Sequence, residues 1–179
     1  MNVLVKPIAI CILPLALSAC AGMGQDTVTA PDVPAAVAVP AGNTPSMTLK
    51  GVGLLTYECR AKAGSTGAYE WVFAGPDAAL QDRSGRQVGK YYGGPTWEHN
   101  DGSKVTGKQL AVSPAGSGSI PLQLVQTSPA TGSGAFTGVT YIQRVNTQGG
   151  VAPSAPCDAA TVNRKQTVKY SADYVFYKR

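Results

Sequence analysis

From residue 52 onward, short apolar runs alternate with polar positions and are broken by Gly, Pro, Asn, Asp and Ser. That period of two is the mark of half-buried β-strands. The last run is the clearest: Val168, Tyr170, Ala172, Tyr174 and Phe176 alternate with Lys169, Ser171 and Asp173, so one face is expected to be buried and the other wet. Leu55, Tyr57 and Cys59 likewise share a face, which would carry Cys59 into the core beside Tyr69, Trp71 and Phe73. The pattern predicts eight strands, at 52–60, 68–73, 87–92, 96–99, 104–112, 120–127, 138–146 and 167–177. Asn100, Asp101, Gly102 and Ser103 form a strong turn signal, because Asn, Asp and Gly tolerate positive φ. A single helical turn is expected at Pro76-Asp77-Ala78-Ala79-Leu80, and no long amphipathic helix is visible. The fold class is therefore all-β, a sandwich or an open barrel of about eight short strands, and periodicity does not separate the two. The Gly-rich segments Gly116 to Ser119 and Thr131 to Gly134 read as exposed, flexible loops.

The N-terminus has a different pattern. One positive charge, Lys6, precedes the apolar stretch Ile8 to Leu17, which is too short for a stable membrane span and suits a signal-peptide h-region. Leu17-Ser18-Ala19-Cys20 follows at once and resembles the lipobox of bacterial lipoproteins. The resemblance implies cleavage before Cys20 and attachment of a diacylglycerol group to its thiol, and several acyl chains hold a protein to a membrane where one does so only marginally. The competing reading is an ordinary signal peptide with a chance cysteine. Ala21 and Gly22 follow, with no Asp beside the cysteine, which by resemblance to lipoprotein sorting points to the outer membrane of a two-membrane envelope. Residues 21–50 are rich in Ala, Val, Pro, Gly and Thr with only three charges, the composition of an extended linker. The expected organisation is a signal peptide at 1–19, a tether at 20–36 and one β-rich domain at 37–179, since the processed chain is long enough for one core and short for two.

Cysteine and charge usage narrow the chemistry. Cys11 leaves with the signal peptide and Cys20 is the lipidation site, so Cys59 and Cys157 remain in an oxidising compartment and are expected to form a disulfide. A metal pair or a reactive thiol is the alternative, but two thiols with no flanking His make a poor zinc site. Without Lys6 the chain carries 14 basic and 10 acidic residues, dispersed along its length. Such a mild excess describes a soluble surface and not a nucleic-acid face. No cofactor, metal site or catalytic residue is assigned.

Chemistry-bearing residues concentrate in one segment. Tyr91, Tyr92, Trp97, Glu98, His99 and Asp101 surround Gly93-Gly94-Pro95, and His99 is the single histidine of the chain. Aromatic planes beside carboxylates suit a sugar-binding surface, and these six are the candidate ligand-binding residues; the competing reading makes Trp97 a core residue and Asp101-Gly102 a plain turn. A hydrolase would use His99 as base, Ser103 as nucleophile and Asp101 or Glu98 to orient. Residues so close in sequence rarely converge into a triad.

Several segments together resemble domain-of-unknown-function family 3455: Val39-Pro40-Ala41-Gly42, Gly51-Val52-Gly53 leading to Tyr57-Glu58-Cys59, Gly94-Pro95-Thr96-Trp97-Glu98 with Asp101-Gly102-Ser103, Val139 to Arg144, Thr147-Gln148-Gly149-Gly150, Ala152-Pro153 and Tyr170-Ser171-Ala172-Asp173-Tyr174. The resemblance runs from about residue 37 to the C-terminus and implies a unit of fold and export without an activity. It makes 37–45 the start of the domain, where composition alone would leave a tether. The chain has Lys90-Tyr91-Tyr92 where the family pattern has a His before Gly-Gly-Pro. The expectation is a membrane-anchored envelope protein, a non-enzymatic binder of glycan or protein, with an envelope hydrolase or a purely structural protein as alternatives and the oligomeric state open.

Overall fold

The computed structural model describes Met1 and residues 27–179, so the h-region and Cys20 lie outside the described residues. Eight antiparallel strands follow one another around a closed barrel: β1 (Thr44–Ala61), β2 (Tyr69–Gln81), β3 (Gln87–Tyr92), β4 (Thr96–His99), β5 (Lys104–Ser113), β6 (Leu122–Thr127), β7 (Val139–Gly149) and β8 (Lys165–Lys178). Between a sandwich and an open barrel, the chain takes the barrel and closes it by pairing β1 with β8 from Thr44↔Lys178 to Glu58↔Lys165. Closure removes both sheet edges. The β3 and β4 limits match the alternation pattern, whereas β1 begins eight residues before the expected start, because residues 44–51 pair with β8 despite Pro45.

The expected helical turn at 76–80 does not form; those residues continue β2, with Leu55↔Pro76, Gly53↔Ala78 and Gly51↔Leu80 in register. An isolated turn fixes several dihedrals for a single hydrogen bond, and here the ladder offers a bond at nearly every residue. Ala78 and Leu80 point into the bore, and a Cβ on Gly53 would lie 2.5 Å from the Ala78 Cα, so the close approach of β1 to β2 requires glycine there.

Inward positions form one core that includes Leu49, Leu55, Tyr91, Trp97, Ile142 and the β8 series Tyr170, Ala172, Tyr174 and Phe176. Tyr174 crosses the middle of the bore, with Tyr91 at 5.2 Å and Trp97 at 5.8 Å between ring centroids. Space for it exists because position 51 is glycine: a Cβ there would sit 2.5 Å from the Tyr174 ring. One end of the barrel, where the chain enters at Thr44 and leaves at Lys178, is plugged by Phe136 from the β6–β7 connection, which stacks on Phe176 at 4.7 Å.

The outer face of β8 is not uniformly wet. Val175 and Tyr177 are buried with Val145 of β7 in a second cluster, covered by Val28, Val33 and Val39. The described part of the expected tether thus lies on the barrel, and its 3-10 turn (Ala35–Val37) buries Val37 completely. Gln143 points into this layer with its amide satisfied, donating to the Val37 carbonyl at 2.7 Å and accepting from the Tyr177 hydroxyl at 2.9 Å.

At the other end, the long β7–β8 connection folds back over β1 and β2. The disulfide between Cys59 and Cys157 ties it down, Trp71 Nε1 donates to the Ala155 carbonyl at 2.8 Å, and the Tyr57 hydroxyl donates to the Gly150 carbonyl at 2.7 Å. The bridge spans 98 residues, so it removes much freedom from the unfolded chain. Replacing Cys59 and Cys157 together by Ser is expected to lower the unfolding free energy by about 2–4 kcal/mol, read from urea denaturation under non-reducing conditions. A midpoint unchanged from the oxidised wild type would contradict that.

Candidate functional site

Cross-strand register decides what the segment 91–103 can do. Tyr91 pairs with Trp97, Lys90 with Glu98 and Tyr92 with Thr96, so Tyr91 and Trp97 share the inner face while Tyr92 and Glu98 share the outer one. Trp97 is fully buried, stacked on Tyr91 at a centroid distance of 4.6 Å. It is therefore a core residue, and the expected sugar-binding platform of Trp97 with Tyr92 does not form. Tyr92 donates its hydroxyl to the Glu98 carboxylate on the outside, where Lys104 Nζ stands at 3.3 Å and Lys90 Nζ at 3.8 Å from the same carboxylate. The Tyr92 hydroxyl, followed by these lysines, holds the Glu98 carboxyl below its ordinary range. This is a partly solvated cross-strand cluster on the outer face.

His99 and Asp101 belong to a third place, the plugged end. Asp101 Oδ1 accepts from the Ser103 hydroxyl at 2.6 Å and from the Ser103 N–H at 2.8 Å; Oδ2 accepts from the Ala135 N–H at 2.7 Å and lies 2.8 Å from His99 Nδ1. The Ser103 oxygen in turn accepts from the Phe136 N–H at 3.1 Å. These bonds clamp the 128–138 connection and hold the Phe136 plug, with His99 edge-on to the Phe136 ring at 5.8 Å. Gly134 completes the fit, since at φ +154° a Cβ would lie 2.3 Å from the Asp101 carboxylate. Thr131 to Gly134 is exposed, as expected, yet pinned at this point and not free. The roles of a hydrolase are not assembled: the Ser103 hydroxyl is bonded to Asp101, has no exposed surface, and is not met by the imidazole, while Glu98 lies on the opposite face.

The open end holds a cavity of about 520 Å³, within the ~300–1,000 Å³ usual for small-molecule sites. Leu55, Tyr57, Phe73, Tyr91, Ile120 and Val125 give it an apolar wall, and the β3–β4 turn Gly93-Gly94-Pro95 forms part of the rim. Its polar side chains are Gln109, Gln123 and Arg144, with the phenols of Tyr57 and Tyr91, and no carboxylate lines it. Tyr91 alone among the six expected ligand residues contributes here. The Gly-Gly-Pro turn beside the aromatics thus lies at the rim of this cavity, whose residues Arg144, Tyr57 and Phe73 were not among the expected ligand residues. Arg144 shares parity with Ile142, whose side chain is core, and so faces the bore. Among the described residues no group of three His, Cys, Asp or Glu side chains is placed to hold a metal ion.

The Asp101 clasp makes a pH-dependent contribution to stability. The Ser103 hydroxyl bond first, then the Ala135 and Ser103 N–H groups and the neighbouring His99, hold the Asp101 carboxyl well below the ordinary carboxylate range in the folded protein. Its contribution is therefore complete above the unfolded-state value of about 3.9 and is lost as pH falls below it. Asp101→Asn is expected to cost about 1–3 kcal/mol at neutral pH, allowing for partial exposure, and to flatten the acid-side loss of stability. Urea melts of both proteins at several pH values check this, and parallel pH curves would refute it.

The protein-of-unknown-function family DUF3455 has a model that matches residues 40–178. Neither a curated protein nor a solved structure matches the chain. The matched region takes in all eight strands in full, together with the disulfide and both barrel ends, and the chain therefore belongs to the DUF3455 family.

Proposed function

We propose that the protein is an envelope lipoprotein, anchored through Cys20, whose barrel is a non-enzymatic binding module with its ligand site in the open mouth. The observation that carries this reading is the apolar cavity bounded by Leu55, Tyr57, Tyr91, Ile120 and Val125 at one end of a barrel whose other end is plugged. An eight-stranded barrel has an interior wide enough either to be filled by side chains or to hold one small ligand. This one does both, in different halves. Its apolar wall favours a small apolar molecule over the glycan expected from the aromatic segment, because a sugar needs many hydrogen-bonding groups and, apart from two phenols, the wall offers only Gln109, Gln123 and Arg144. The anchor rests on the lipobox-like Leu17-Ser18-Ala19-Cys20 at the end of an h-region.

Both parts are testable. N-Phenyl-1-naphthylamine, a neutral apolar dye, is expected to bind the purified protein with a rise in fluorescence. Gln109→Trp, which places an indole at the rim on an exposed strand position, should reduce that rise several-fold without lowering the melting temperature. Dye binding that is absent, or indifferent to this substitution, would sink the mouth as the site. Cys20→Ala should move the protein from the membrane fraction to the soluble fraction of its host, and unchanged fractionation would show that the anchor is something else.

A further inference from the structure

The cavity has a single formal charge and that charge has no counterion. Among the described residues Arg144 forms no ion pair. Its Nε and Nη2 both donate to the Pro121 carbonyl, at 3.2 Å and 2.9 Å. The guanidinium also reaches the Tyr174 hydroxyl, but it has five N–H donors in a planar fork, so one carbonyl and one phenol leave it with donors for a guest. Around it stand four phenols. Burial pushes the hydroxyl pKa of Tyr57, Tyr91, Tyr170 and Tyr174 above the ordinary phenol value, and the Arg144 charge opposes the rise in each, which places all four within its field. They are thus neutral at physiological pH, and none compensates the cation.

Charge placement in such a site is costly unless it is matched. A half-buried guanidinium against an apolar wall loses hydration that one carbonyl and one neutral phenol do not replace. A folding requirement does not explain it, since β7 could carry an apolar residue at this inward position, as it does at Ile142. The rim adds two amides, Gln109 and Gln123, bonded to each other across β5 and β6 and able to orient a polar group near the cation.

We propose that the guest of the barrel mouth is a small monocarboxylate with an apolar body, its carboxylate held by Arg144 and its body against Leu55, Tyr91 and Val125. The inference rests on the mouth being the binding site, and it adds the ligand's charge and the residue that reads it. A planar carboxylate is the natural partner of a guanidinium fork, and the bond is stronger in a wall of low polarity than in water. Neutral molecules of the same shape would enter the cavity but leave the guanidinium without a counterion.

The test is displacement of N-phenyl-1-naphthylamine by 2-naphthoate and by the neutral 2-naphthylmethanol, in the wild type, Arg144→Met and Arg144→Lys. A charged hydrogen bond of the usual strength predicts that naphthoate displaces the dye roughly tenfold or more better than the alcohol in the wild type. Arg144→Met should abolish that preference while keeping dye binding, and Arg144→Lys should retain part of it. Equal displacement by acid and alcohol in the wild type, which needs no variant to interpret, would overturn the carboxylate assignment while leaving a neutral binding site. A preference that survives Arg144→Met would overturn the role of Arg144. Absence of dye binding by the wild type would overturn this inference together with the reading of the mouth on which it depends.

Discussion

The fit of the Tyr174 ring against Gly51 is the constraint on which the architecture turns. β1 and β8 lie side by side where the barrel closes, and a side chain at position 51 would occupy the space the ring fills. With the ring in place, Tyr91 and Trp97 pack on it from the facing wall and form an aromatic layer across the bore. Large rings are efficient at this because each buries a large area with few rotamers, and their offset and edge-on contacts add to simple burial. The layer divides the interior. Below it lie Leu80, Val105, Phe136 and Phe176, all buried; above it the bore is left open.

The two ends are held by different chemistry. The plugged end depends on hydrogen bonds to one carboxylate, Asp101, which fastens a glycine-rich connection so that Phe136 can enter the bore. Strength there comes from several donors converging on a charged acceptor. The open end is framed by covalent and backbone ties, the Cys59–Cys157 bridge and the bond from Tyr57 to Gly150, which keep the longest connection over β1 and β2 and out of the mouth. A rigid frame of this kind suits binding, because a preformed cavity loses little freedom when a guest enters. The guanidinium in its wall is the feature that distinguishes this cavity from an imperfectly filled core.

Much of the fold was legible along the chain because β-strands write their two faces as a period of two. The inward series of β8, the turn at Asn100 to Ser103, the limits of β3 and β4, and the pairing of Cys59 with Cys157 all followed from local pattern or from compartment. Other features depended on partners distant in sequence. Pro76 to Leu80 looked like a helix start until β1 stood beside it, and Thr44 to Lys50 looked like a tether until β8 did. Val175 and Tyr177 would be exposed on an ordinary barrel and are buried only because Val28, Val33 and Val39 cover them. The candidate site shows the same limit. Cross-strand register sets Tyr91 beside Trp97 on one face and leaves Tyr92 and Glu98 on the other, and nothing local says which face turns inward. Arg144 was hidden because both faces of β7 carry apolar residues, so its inward direction could not be read.

The central claim is that a guest occupies the mouth above the aromatic layer and goes no deeper. Carbon-detected methyl spectra during a titration with 2-naphthoate test it directly, since Leu55, Ile120 and Val125 line the cavity while Leu80 and Val105 lie in the core without lining it. The account predicts large, saturable shifts for the first three and little change for the other two. Shifts confined to outward methyls such as Leu54 and Val112, or absent altogether, would contradict it.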